Sequence, residues 1–124
     1  MKVITNNKKA RHDYFILDKY EAGIKLKGSE IKSIRAGKIN IGDSYVTFKN
    51  GEAFLLNAHI SKFDKSNIFN HDETRSRKLL LHKSQIRKLH QEVMQMGHSV
   101  IPLRVYIDKG LCKVEIALVK RKKQ

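Results

Sequence analysis

His12-Asp13 and His71-Asp72 each place an imidazole beside a carboxylate, the raw material for acid–base work or a metal site. Adjacent residues on an extended chain point to opposite faces, so neither pair need converge. The histidines stand at 12, 59, 71, 82, 90 and 98, and no two share the i, i+4 spacing that holds zinc on a helix. The acids are dispersed, whereas a metal-dependent nuclease needs them clustered. No serine sits in a nucleophile-elbow context. Gly28, Gly37, Gly42 and Gly51 punctuate elements and form no phosphate-cradling loop. The single cysteine, Cys112, excludes an internal disulfide and a cysteine zinc cage, and reads as a bland buried thiol. These residues point away from an enzyme, a metal and a cofactor.

A second group is suited to binding. In the segment from Asn70 to Lys83, Arg75, Arg77 and Lys78 precede the apolar triplet Leu79-Leu80-Leu81. Arginine forks onto phosphate oxygens, and its planar head stacks on bases. If the stretch is extended, alternation puts Arg75 and Arg77 on one side, expected to lie outside the core. Lys8, Lys9 and Arg11 supply a second basic cluster near the start.

The 124-residue chain carries 26 Lys and Arg against 12 Asp and Glu, a net charge of +14. Three windows, Met1–His12, Thr74–Gln91 and Ile116–Gln124, hold bases and no acids, and outside them the charges balance. Segregated positive charge concentrates a polyanion and steers its approach. A membrane surface would ask for a basic amphipathic helix with a free apolar face; the one long helix here needs that face for the core. The aromatics, for instance Phe48, Phe54 and Tyr106, alternate into expected core positions. That favours shape-reading of a folded RNA over base stacking along a single strand.

Positioning falls mainly to strands. Ile24 and Leu26 alternate with lysines. Ser44–Lys49 and Glu52–Ile60 flank Asn50-Gly51, a preferred type I′ pair. Val100–Ile107 and Leu111–Val119 flank a three-residue loop, Asp108-Lys109-Gly110, and Cys112, Val114, Ile116 and Leu118 share a face opposite Lys113 and Glu115. A short helix over Ser29–Ala36, with Ser29 as N-cap and Gly37 as terminator, would turn Ile31 and Ile34 inward. A longer one over Lys83–Met96, ended by Gly97, carries the stripe Ile86, Leu89, Val93 and Met96. The pattern predicts one mainly β domain over 1–124, an OB-like antiparallel barrel with flanking helices. A basic arm spans 1–12, and a truncated basic tail begins at about 120–124.

Several motifs in order resemble the small protein B family, also called SsrA-binding protein. They are Asn7-Lys8-Lys9-Ala10-Arg11-His12-Asp13-Tyr14-Phe15-Ile16, Tyr20-Glu21-Ala22-Gly23-Ile24, Gly28 to Lys38, Asp43-Ser44-Tyr45 and Asn70 to Lys83. The resemblance implies a closed six-stranded OB-like barrel with about three helices. It implies a non-enzymatic, monomeric, cytoplasmic protein that binds the tRNA-like domain of transfer-messenger RNA near its elbow. It further implies promotion of that RNA's alanylation, and partnership through the RNA with alanyl-tRNA synthetase and elongation factor Tu. Delivery to stalled ribosomes for peptide tagging follows. The family's RNA-contact positions fall on Glu21, Leu80 and His82, the last where other members carry Asn; Arg121 replaces a common Gly. Charge alone would not choose Glu21, whose carboxylate must accept from base N–H or 2′-OH groups to offset repulsion. Composition by itself equally fits a ribosomal or other structural-RNA protein.

Overall fold

The computed structural model describes residues 1–62 and 71–123. In chain order these form β1 (Lys2–Asn6), α1 (Ala10–Asp13), β2 (Tyr14–Ile24), α2 (Gly28–Arg35), β3 (Ile39–Asn40), β4 (Tyr45–Lys49), β5 (Glu52–Leu56) and β6 (His59–Ile60). After them come β7 (Arg77–Leu80), α3 (Lys83–Met96), β8 (Ser99–Asp108) and β9 (Leu111–Arg121). Asn70 and Gln124, at the edges of a predicted motif and of the predicted tail, lie outside the described residues.

Seven strands make one antiparallel sheet in the order β1-β8-β9-β2-β7-β5-β4, and β3 pairs with β6. The mainly β expectation holds, with seven strands in the sheet where six were expected. Among the described residues β4 packs beside β8 with no backbone ladder joining them. Two tight turns set the register. Asn50 and Gly51 have φ of 55° and 74°, the left-handed pair of a type I′ hairpin. Lys109 and Gly110 (51° and 78°) do the same between β8 and β9. Asp108 pairs with Leu111, so that connection is a two-residue turn and not the expected three-residue loop.

The main core lies on the inner face of the sheet, where Ala22, Leu55, Leu79, Val105, Val114 and Ile116 meet Ile34 from α2 and Ile86 and Leu89 from α3. Burying each Val, Leu or Ile among them contributes about 1.5–3 kcal/mol. Of the α3 stripe, Met96 is exposed, as the last helical residue before the left-handed cap at Gly97, where the chain turns away from the helix. A smaller cluster on the opposite face joins Ala10 to Ile101, Leu103, Ala117 and Val119. The basic stretch 1–12 contains β1, paired along β8, and the start of α1, which covers that second cluster through Ala10.

Helix α2 begins one residue before the expected Ser29. The Lys27 amide donates to Glu30 Oε1 at 2.8 Å, while Ser29 Oγ meets His71 Nδ1 at 2.9 Å. Ile34 is buried, but Ile31 is 38% exposed, since an eight-residue helix against this sheet buries a narrow stripe. Phe54 is also displaced from its expected core position. It alternates with buried Ala53 and Leu55 and sits half-buried on the outer face, opposite Lys78.

Candidate nucleic-acid interface

Strand β7 sorts its residues by alternation. Lys78 and Leu80 point outward, and Arg77 and Leu79 point inward. Leu80 is paired with Gly23 on β2, and a Cβ at Gly23 would come within 3.2 Å of the Leu80 Cβ. Glycine there lets Leu80 lie over β2 while remaining 47% exposed. Two residues back on the same face of β2 is Glu21, with its side chain 56% exposed. His82 follows β7 as the N-cap of α3, its amide donating to Gln85 Oε1 at 3.1 Å. One groove is lined by Glu21, Gly23, Lys78, Leu80, His82 and Lys113. Four sequence-predicted residues, Glu21, Lys78, Leu80 and His82, therefore converge, although they are separated by up to about sixty positions in the chain.

The groove is charged but not free. Lys78 Nζ is paired with Glu52, whose carboxyl is held below its ordinary range by that hydrogen bond and charge. Lys113 Nζ stands 4.0 Å from Glu21 Oε1, and the Tyr106 hydroxyl donates to Glu21 Oε2. Next to Glu21 across the β2–β9 ladder is Glu115, met by Arg104 Nε at 3.4 Å. An adjoining hollow on the same face is lined by Lys8, Arg11, Lys19, Arg104 and Glu115. The outer face thus offers ammonium and guanidinium groups for phosphate, two carboxylates as directional acceptors, and one exposed leucine for a base or ribose surface.

Arg75 and Arg77 do lie on one side, as alternation predicts, but that side faces the core. Arg77 is fully buried: its Nε donates to Glu30 Oε2 at 2.6 Å, and Nη1 and Nη2 donate to the carbonyls of Ala58 and Glu73 at 2.9 and 3.0 Å. Arg75, a quarter exposed, binds the same buried carboxylate at 2.6 Å through Nη2. Burial would raise the Glu30 carboxyl, but hydrogen bonds from Arg75, the Lys27 amide and Arg77 outweigh it and hold it down at about 2. Arg77 is thus withdrawn from any polyanion, and the expectation that both arginines stand clear of the core is corrected. The physical reason is the buried Glu30, whose charge needs partners.

A family model described as SmpB protein matches residues 4–124. The chain belongs to the SmpB protein family. SsrA-binding proteins of Shouchella clausii (strain KSM-K16) and Acholeplasma laidlawii (strain PG-8A) are each 60% identical to it. The matches cover 98% and 99% of this chain, and 78% and 83% of those proteins. A solved chain reported under "tmRNA-SmpB: a journey to the center of the bacterial ribosome" superposes with a TM-score of 0.81 at 45% identity, covering 100% of this chain and 86% of that one.

Not every predicted contact residue of this SmpB-family chain shares the groove. Lys9 lines a different cleft, between α1, β4 and α3, with Asp13, Tyr14, Tyr45 and Arg121. His12 and Asp13 do bond to each other, Nδ1 to Oδ1 at 2.9 Å, with the imidazole largely exposed. That contact lowers the Asp13 carboxyl below its usual range. His71 is buried between Ser29 and the Ile60 carbonyl, far from an acid–base role. Among the described residues no three His, Cys, Asp or Glu side chains converge to hold a metal ion, and no helix is long and apolar enough to cross a membrane. Lys19, Arg104, Lys113 and Tyr106 were not singled out from sequence as contact residues. The alternation of Lys113 and Glu115 against the apolar face of β9 carried the signal for Lys113; the others depend on the register of β8, β9 and β2.

Proposed function

We propose that this chain binds transfer-messenger RNA (SsrA RNA) through the outer face of β2, β7 and β9, and serves trans-translation on stalled ribosomes. The observation that carries this is the convergence of Glu21, Lys78, Leu80 and His82 on one groove in a member of the SmpB family. The names of its relatives, SsrA-binding proteins and a tmRNA–SmpB assembly of the bacterial ribosome, support the same partner. Lys78, Lys113 and, in the adjoining hollow, Lys8 and Arg11 hold the phosphate backbone. Glu21, Leu80 and His82 recognise the folded tRNA-like domain. Binding of this kind positions an RNA and asks for no bond-making group, so the chain is not an enzyme, and work on bacterial ribosomes implies the cytoplasm. Alanyl-tRNA synthetase and elongation factor Tu are met through the RNA.

The full chain, expressed with an affinity tag in bacteria and purified at moderate salt, is expected to carry one discrete structured RNA, transfer-messenger RNA, identified by sequencing. Ribosomal RNA alone would make it a structural-RNA protein, and turnover of the bound RNA would make it an enzyme.

A further inference from the structure

Glu21 is the least expected residue on an RNA-facing surface, because an exposed carboxylate repels phosphate. Its surroundings restrain it. The Tyr106 hydroxyl donates to Oε2, and Tyr106 itself is 4% exposed, on β8 two strands away. The ring is held from above by Arg104, whose guanidinium carbon lies 5.0 Å from the ring centroid. Arg104 is engaged in turn with Glu115, the cross-strand neighbour of Glu21. Burial, and then the adjacent Glu21 carboxylate, push the tyrosine hydroxyl well above its ordinary range, so it stays a donor throughout working pH. The remaining oxygen, Oε1, faces the groove with Lys113 Nζ at 4.0 Å, longer than a direct hydrogen bond.

We infer that Tyr106 is a positioning residue for RNA recognition: it fixes the Glu21 carboxylate through Oε2 and so presents Oε1 as a single directional acceptor for a hydroxyl or amino donor of the RNA, a ribose 2′-OH or an exocyclic base amine. The inference rests on Glu21 being an RNA contact. A glutamate on a strand has three free rotors. Without the tyrosine hydroxyl, the side chain can swing onto the Lys113 ammonium, already 4.0 Å from Oε1. It would then cancel a phosphate-binding charge and offer the RNA only repulsion. The buried tyrosine thereby converts an unfavourable charge into a reader, and charge-assisted hydrogen bonds are the strong ones. The arrangement also accounts for a tyrosine whose hydroxyl, on a buried ring, reaches the outer face of the sheet rather than a core partner.

A double-mutant cycle tests this, using full-length protein and the tRNA-like fragment of transfer-messenger RNA, with thermal melts to confirm folding. E21A is expected to weaken binding by about tenfold or more, the range for a hydrogen bond to a charged group. Y106F, which keeps the ring and removes only the hydroxyl, is expected to cost nearly as much, and E21A/Y106F no more than either alone. If E21A weakens binding while Y106F leaves it unchanged, or if the two losses multiply, the positioning role is overturned and the Glu21 contact stands. If E21A itself leaves binding unchanged, the contact fails and the inference falls with it. E21D keeps the charge and leaves Tyr106 and the fold untouched, but cannot span from the tyrosine to the groove, so it guards against a Y106F that does not fold. A tenfold loss in E21D supports the inference, and wild-type binding by E21D overturns it.

Discussion

The two faces of β7 use the same kinds of residue for opposite ends. On the inner face, Arg77, with Arg75 from just before the strand, closes on Glu30, and the guanidinium of Arg77 spends its donors on one carboxylate and several carbonyls. On the outer face, Lys78 and Leu80 stand one residue away, exposed in part, beside Glu21 and His82. Basic residues next to each other in the sequence therefore divide into a buried ionic tie between α2 and β7 and a surface ready for a polyanion. The division follows from the period of two along a strand together with a single buried glutamate. A basic run is an RNA surface only where its charges lack an internal acid.

The sharpest way to break the comparison is to remove the inner arginine. R77A leaves the buried Glu30 carboxylate with Arg75 as its one remaining guanidinium partner and should cost about 3 kcal/mol of stability, measured by chemical denaturation. A stable R77A with weakened RNA binding would return Arg77 to the surface. E30Q refines the same point through pH. The Glu30 carboxyl lies at about 2 in the folded protein against an ordinary value near 4.5. A depressed folded value contributes stability that is present above the unfolded value and lost as pH falls through about 4.5 toward 2. Wild-type stability should fall across that window, and the part due to Glu30 should vanish in E30Q. An identical acid profile in both proteins would deny the tie its role.

The outer face should respond the other way. L80A removes a side chain that is 47% exposed, so stability should change by less than about 1 kcal/mol. RNA affinity should drop by about tenfold, read by titration with the tRNA-like fragment. Equal losses in stability and binding would make Leu80 a packing residue. The smallest effect belongs to the lysines. K78A should lower affinity severalfold and reduce the slope of log affinity against log salt by about 0.7–0.9, one phosphate contact. The Glu52 carboxylate, left without its partner beside the groove, repels phosphate and adds to the loss. An unchanged slope would mean that Lys78 stays on Glu52 in the complex.

Much of the fold was legible because it is written in local chemistry. The Asn50-Gly51 turn, the left-handed Gly97 stop and the alternation along β9 are each set by a few adjacent residues. What escaped depends on partners distant in sequence. Strand β1 has little apolar pattern of its own and exists as an edge along β8, and α1 is held by Ala10 against the second cluster. Phe54 was expected in the core because alternation fixes which residues share a face, whereas which face is outer is decided by the whole sheet. Arg77 was misplaced for a related reason. Nothing near it in sequence announces Glu30, 47 residues away, as a buried acid that needs two guanidiniums. At the groove, the motifs carried by the family resemblance supplied Glu21, Leu80 and His82, while Tyr106 and Arg104 became visible only with the strand order.

The central claim is that the outer face of β2, β7 and β9 meets the RNA while the buried inner face does not. Backbone amide chemical shifts, followed as the tRNA-like fragment is titrated into the full-length protein, test it most directly. The largest changes are expected at Lys19–Gly23, Lys78–His82 and Lys113, with those around Tyr45, Phe48 and Met94, which line the separate cleft beside α1 and α3, left near their free positions. Changes concentrated in that cleft, with Glu21 and Leu80 silent, would contradict the account.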